Sequence, residues 1–431
     1  MEILSLGEKI KRRRKELNMT LKDLAGDRIT PGQISLVESG KSNPSMDLLE
    51  YLADILNVSI EYLMETEESQ AEKICGYFEN IADSHILTRN FDLAEQYIES
   101  SLFYADKYIL EYKKARALYL KGKIELLRDN HAQAQQLFLS ANVIFIKYNF
   151  FEDIVKAYIK LGRITLDMKA YHSACSYFKQ AENVYLDNHL THDLTIGQIY
   201  YYIAVTYFKL DDVEKSVNYS FLAKQKFEQV GNKKEYAKSL LLLAESSNKN
   251  GNIDEAVEYS NKALKIFREV DDLLYVSEIE NSLGKLFYEF DNVEESFIHY
   301  KVAAKIRSEY QDDKFIETLI NICENYIKIK DVENSKETLE NIKNTSNKID
   351  ENKMIQYYTL KHRIDMLEGD IIEAENTLME ALKFAEEKEL KEDYADISIQ
   401  AGKFYIEIGN SEAAARFLNS GVEKFKDLGI L

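Results

Sequence analysis

From residue 4 onward, apolar residues recur at three- and four-residue intervals, the spacing of one face of an α-helix. Five short segments come first, between residues 4 and 64, divided by Asn18, Gly26 to Ile29, Gly40 to Pro44 and Asn57-Val58. In the first, Leu6, Ile10 and Leu17 share one side, while Lys9, Arg12, Arg13 and Lys15 lie largely around the other. MTLKDLAG predicts a second helix capped by Thr20. A third occupies residues 31–39. Thr30 caps it, Pro31 takes the first position, where its missing N–H would be orphaned anyway, and Gly40 stops it. Its early residues Gly32, Gln33 and Ser35 are small or amide-bearing, whereas Ile34 and Val37, with Leu36 beside them, can face a core. One side packs and the other presents hydrogen-bonding groups. A fourth helix runs from a Ser45 cap through Leu56, and SIEYLM forms the fifth.

Beyond this head the helical pattern repeats itself. Small residues recur at Ala94, Ala134, Ala174, Ser216, Ala256, Ser296, Ser335, Ala374 and Ala414, with spacings of 40, 40, 42, 40, 40, 39, 39 and 40 residues. Twelve residues before each stands a second, mostly small position: Ala82, Gly122, Gly162, Ala204, Ala244, Gly284, Cys323, His362 and Gly402. Small residues at paired places let two antiparallel helices cross closely. With turn signals such as NGNIDEA, LDDVEKS and FDNVEES between the paired helices, the pattern resembles the tetratricopeptide repeat. Its period exceeds the usual length by six residues, which adds roughly 4–5 Å to each helix at 1.5 Å per residue and deepens the concave groove.

Counting from the small position of each first helix predicts which side chains face that groove. Repeats two and three offer Arg116, Tyr119, Lys123, Lys156 and Arg163, a basic set in an acidic protein. Repeats four and five offer Tyr201, Phe208, Lys209, Lys238 and Asn248; repeats six and seven offer Asn281, Lys285, Tyr288 and Asn321. An asparagine side chain both donates and accepts, so a ladder of them can hold an extended peptide backbone whatever its side chains. The basic residues at one end suit a carboxylate, and the aromatics suit side-chain pockets.

Composition narrows the class. The 431 residues are 45% hydrophobic and 30% charged, and the longest apolar runs, YYYIAV and LLLLA, fall far short of a membrane span. MEILSLGEKIKRRRKELN carries charge throughout and lacks a secretory apolar run, so a cytoplasmic location is expected. The three cysteines stand far apart without paired spacing and read as buried free thiols. Net charge is −19, yet residues 1–45 hold nine Lys or Arg against six Asp or Glu, so the basic surplus is local to the head. No glycine-rich phosphate loop or Ser/His/Asp spacing suggests catalysis, no cofactor is implied, and His189, His192 and Asp193 read as a polar turn rather than a metal site.

LGEKIKRRRKELNMTLKDLA followed by ITPGQISLVESGKSNPSMDLLEYLADILNVSIEYLM closely resembles the lambda-repressor-like (XRE-type) helix-turn-helix. The resemblance rests on Ile10, Arg14, Leu24-Ala25, Gln33-Ile34-Ser35, Glu38, Gly40-Lys41, Pro44-Ser45, Leu52-Ala53, Leu56-Val58 and Leu63. It implies that the helix from Pro31 enters the major groove of double-stranded DNA. Thr30, Gly32, Gln33 and Ser35 would then meet bases or nearby phosphates, and Lys41, Ser42 and Asn43 would hold the backbone, with Arg14 and Arg28 in the same surface. The chain departs from the family at Leu21-Lys22, where a glutamine usually begins the second helix; Lys22 or Thr20 would take its phosphate contact.

A helix-turn-helix ahead of nine long repeats resembles the RRNPP family of peptide-controlled transcription regulators. That resemblance implies an all-α chain: a DNA-binding domain over 1–65, a connector over 66–72, and a right-handed tetratricopeptide superhelix over 73–431 for peptide binding and dimerisation. It also implies a cytoplasmic homodimer whose operator affinity a short signalling peptide changes. Two other readings are a regulator whose repeats are a protein scaffold and, more remotely, a response-regulator phosphatase, for which Gln70 and Gln96 are the only pointers.

Overall fold

The computed structural model describes residues 2–345 and 350–428, and among them the chain is helical with no strand. It divides into two compact units, Met1–Tyr219 and Ser220–Leu431.

The first unit opens with five short helices, α1 (Leu6–Glu16), α2 (Leu21–Ala25), α3 (Pro31–Glu38), α4 (Met46–Leu56) and α5 (Ile60–Met64). Ser5, Thr20 and Thr30 each cap the helix that follows in a reciprocal capping box, closed by Glu8, Asp23 and Gln33. Their core is Ile10, Leu24, Ile34, Val37, Leu52, Leu56 and Leu63. At Gly7 a β-carbon would lie 2.5 Å from the Val37 carbonyl oxygen, so glycine lets α1 pass directly over α3.

Three readings of the head are corrected. Leu36 is 46% exposed and Leu17 38% exposed, because the core is already filled by the residues just named. Lys9, read as part of the polar side, is 1% exposed: its ammonium donates to the carbonyls of Tyr62 (2.8 Å) and Glu65 (2.7 Å), beside the Glu65 carboxylate at 3.7 Å. Burial pushes its pKa down while Glu65 supports the charge.

Paired helices follow: α6 (Glu67–Leu87) with α7 (Phe91–Lys107), α8 (Glu111–Leu127) with α9 (His131–Lys147), α10 (Phe151–Asp167) with α11 (Tyr171–Asp187), then α12 (Asp193–Lys209) and α13 (Val213–Gln229), in which the division between units falls. Residues 66–72, read as a connector, are the Thr66 cap and first turns of α6. The head is fastened to this helix. The Gln70 side-chain amide accepts from the Leu4 N–H (3.1 Å) and donates to the Leu4 carbonyl (2.8 Å).

The second unit holds α14 (Lys233–Lys249) with α15 (Ile253–Glu269), α16 (Leu273–Glu289) with α17 (Val293–Glu309), α18 (Phe315–Lys328) with α19 (Val332–Asn344), α20 (Glu351–Glu368) with α21 (Ile371–Glu387), and α22 (Lys391–Glu407) with α23 (Ser411–Asp427).

The small positions explain why the pairs close. A β-carbon on Gly162 would sit 2.5 Å from Phe178, and one on Gly284 2.5 Å from Tyr300, so an aromatic ring occupies the space each glycine vacates. Where alanine stands instead, at Ala244, the residue at the aromatic's place is Ser260, and both are buried. Hydrogen bonds reinforce the crossing. The hydroxyls of Ser216 and Ser296 donate to the carbonyls of Ala204 (3.0 Å) and Gly284 (2.6 Å). Two repeats reverse the direction, with Cys323 Sγ donating to Ser335 O (3.5 Å) and His362 Nδ1 to Ala374 O (3.0 Å).

Candidate nucleic-acid interface and ligand grooves

In the head, Thr30, Gly32, Gln33 and Ser35 are all exposed, while Ile34 and Val37 of the same helix are buried. The cap that starts α3 draws on its reading residues. Gln33 Oε1 accepts from the Thr30 N–H (3.0 Å) and Thr30 Oγ1 accepts from the Gln33 N–H (3.3 Å), which leaves the Gln33 amide N–H groups available. No acidic residue stands in the first turn of α3, so the positive end of its dipole is uncancelled. Lys41, Ser42 and Asn43 are exposed just past its far end, and Lys22 and Arg28 are exposed beside it.

Two of the sequence candidates are occupied within the head. Arg14 is gripped by Glu38, with Nε donating at 2.5 Å and Nη2 at 2.9 Å, while Nη1 donates to the Met19 carbonyl at 2.8 Å. Thr20 is spent on Asp23, accepting from its N–H and donating to its carboxylate at 2.7 Å.

The first unit contains a groove of about 430 Å³ between α6, α8 and α10, lined by Lys123, Lys160 and Arg163 among others. Sequence reasoning named Lys123 and Arg163 but missed Lys160. It lies four residues after Lys156 and three before Arg163, a helical spacing that carries the signal. Burial, with Arg163 and Lys123 nearby, pushes the Lys160 ammonium down to about 8.

The other candidates of this region sit outside the groove. Arg116 reaches Asp153 (3.4 Å) and lies over the Tyr119 ring, and Tyr119 is 8% exposed, packed edge-on against Phe138. Tyr119 is a core residue because Gly122, three positions on, opens room for the same ring of Phe138. Lys156 stands between Glu152 and Asp153, each at 3.8 Å. Tyr201 meets Tyr202 edge-on, and Lys209 lies over Phe208.

A groove of about 470 Å³ in the second unit collects Asn281, Lys285, Tyr288 and Asn321 from α16 and α18, all four named from sequence. Asn321 Nδ2 donates to Asn281 Oδ1 at 3.3 Å, so the two amides, 40 residues apart, form one continuous polar track. Sequence reasoning missed Glu289, Glu317, Glu324 and Gln356 on the same wall. Lys238, paired with Glu235 (2.9 Å), and half-buried Asn248 are not part of it.

Among the described residues no group of His, Cys, Asp and Glu could hold a metal ion. Cys75 and Cys323 are buried, their thiols pushed up by desolvation, whereas Cys175, also read as buried, is only half-buried. Among the described residues no helix is long and apolar enough to cross a membrane.

Comparison with known proteins matches the helix-turn-helix family over residues 10–63 and the tetratricopeptide repeat over residues 235–309. The transcriptional activator NprA of Geobacillus stearothermophilus is 23% identical over 320 residues, covering 73% of this chain and 75% of that protein. Among solved structures, the apo form of the quorum sensor NprR from B. thuringiensis is similar with a TM-score of 0.62 at 14% identity, over 82% of this chain and 99% of that one. The apo form of RapI gives 0.59 at 14% identity, over 82% and 98%. A helix-turn-helix head, tetratricopeptide pairs behind it and a relative that spans most of its length support the resemblance of this chain to the RRNPP family.

Proposed function

We propose that this protein is a DNA-binding transcription regulator whose repeats take up a short signalling peptide, and that it acts as a homodimer in the cytoplasm. The observation that carries the peptide half is the Asn281–Asn321 track, a row of paired donors and acceptors lining an open groove. The observation that carries the DNA half is the exposed face of α3, with small and amide-bearing residues over an uncancelled helix N-terminus. Two heads reading half-sites about 34 Å apart, or a multiple of that, would sense any change in their separation. The Gln70–Leu4 clasp and the ion pair of Lys73 on α6 with Glu65 (2.6 Å) give a mechanical route by which the first repeat helix moves the head. The same clasp occupies Gln70, one of the two glutamines to which a phosphatase reading points.

The test is operator binding by the full chain at fixed salt, using DNA from upstream of its own gene, with and without synthetic peptides. A tenfold shift in affinity, about 1.4 kcal/mol of coupling, is expected. Binding unchanged by every peptide would favour the scaffold reading, and the absence of any DNA binding would sink both.

A further inference from the structure

The groove of the first unit has a composition that a peptide backbone alone does not call for. Lys160 is half-buried on α10 between Lys123 and Arg163, and among the described residues no carboxylate lies within ion-pair distance of it. His131 lines the same groove with a buried Nδ1 that has no hydrogen-bond partner. Arg89, Lys123, Lys160 and Arg163 outnumber Asp129 and Asp167 in this half-dry site, and such a surplus of like charge raises its energy unless a further anion offsets it. The same groove carries aliphatic lining: Leu127 is 45% exposed and Leu87 83% exposed.

We infer that this groove is a carboxylate-binding site, in which Lys160 and Arg163 hold the free C-terminal carboxylate of a peptide while Leu87 and Leu127 receive an apolar final side chain. The inference rests on the proposed peptide function and assigns one end of that peptide. Inorganic phosphate shares the charge but would make no use of the exposed leucines.

The groups facing Lys160 fix the pH behaviour. Lys123 on α8 is paired with Asp83 of α6, Arg163 lies over the Tyr202 ring, and Arg89, Asp129 and Asp167 also line the groove. Neither Asp129 nor Asp167 forms an ion pair among the described residues. With its free pKa near 8, Lys160 must be protonated to receive the anion, so affinity falls as pH rises through that value, while the arginines stay charged.

The experiment passes a pool of random heptapeptides ending in leucine over the immobilised full chain, once as free acids and once as C-terminal amides, with inorganic phosphate as competitor. At least tenfold greater retention of the free acids at pH 7, shrinking by pH 9, is expected. Lys160→Met should abolish the preference, and Lys160→Arg should restore it and remove the pH dependence; an unchanged helical melting curve shows that the fold is intact. Equal retention of acids and amides overturns the carboxylate site but leaves peptide binding standing. Retention of neither form overturns both readings. Phosphate binding without preference for the acids would reassign the groove to inorganic anions and overturn the inference.

Discussion

Replacing Glu38 with glutamine separates two roles for Arg14 by the sign of the outcome. The Glu38 side chain is 7% exposed and takes two bonds from Arg14, whose own side chain is 12% exposed. Removing one partner from a buried pair costs about 3–5 kcal/mol, and residual water access here lowers that to about 2–4 kcal/mol. A head of this size has only about 3–9 kcal/mol in hand. Glu38→Gln should therefore unfold much of the head and weaken operator binding by a tenfold or more, although Glu38 touches no DNA. Hydrogen exchange of the α1 and α3 amides in the full chain measures the first effect, and fluorescence anisotropy with upstream DNA measures the second. The double variant Arg14→Met with Glu38→Leu, which replaces the pair by apolar groups of similar volume, should recover both. If Arg14 instead serves a phosphate, the signs invert. Glu38→Gln would then free a cation and strengthen DNA binding with a steeper salt dependence, while the double variant would bind more weakly. That pattern would refute the structural role.

Gly162→Ala should destabilise the first unit by about 1–3 kcal/mol, because its β-carbon would meet Phe178 at 2.5 Å, and the helix-propensity gain of up to ~1 kcal/mol offsets only part of this; a urea midpoint at or above that of the parent would contradict it. Burial depresses the pKa of His362, whose Nδ1–H is bound to Ala374 O, so the unfolded chain takes up that proton first. Its stabilisation is present above the ordinary value of 6.5 and is lost as pH falls through it, and His362→Asn should shrink the difference in urea midpoint between pH 7.5 and 5.5. Gln70→Leu should leave operator affinity without peptide nearly unchanged and reduce the peptide-induced shift toward unity, since it opens the clasp on Leu4; a full-sized shift would show that the signal travels elsewhere.

Local rules carried the reading of the head and the pairs. A capping box joins residues three apart and a helix face joins residues three or four apart, so Thr30 with Gln33, and the small positions about 40 residues apart, are visible in the chain itself. The repeat then turned period into proximity, which is why Asn281 and Asn321 meet. What escaped depends on distant partners. Lys9 is buried because carbonyls 53 and 56 residues away receive it, and Arg14 is held by a carboxylate 24 residues on. Tyr119 belongs to the core because the ring of Phe138 turns toward it, a rotation that counting along one helix does not contain.

The turns between helices carry a consequence for how this protein can change over time. In the first unit they pass through left-handed backbone at Arg89, Ile109, Asp129, Asn149, Lys169 and His189, whereas several turns of the second use Gly231, Gly251, Gly369 and Gly409. A β-branched residue is an awkward tenant of that conformation, and Ile109, at φ 55° with its side chain 79% exposed, gains little packing in return. Glycine there would release roughly 1–2 kcal/mol of strain against ~0.4–1 kcal/mol of added freedom in the unfolded chain. Such joints work as tuning screws: a lineage can harden or soften the array for a warmer or cooler habitat by altering them, while the grooves and the reading head keep their chemistry.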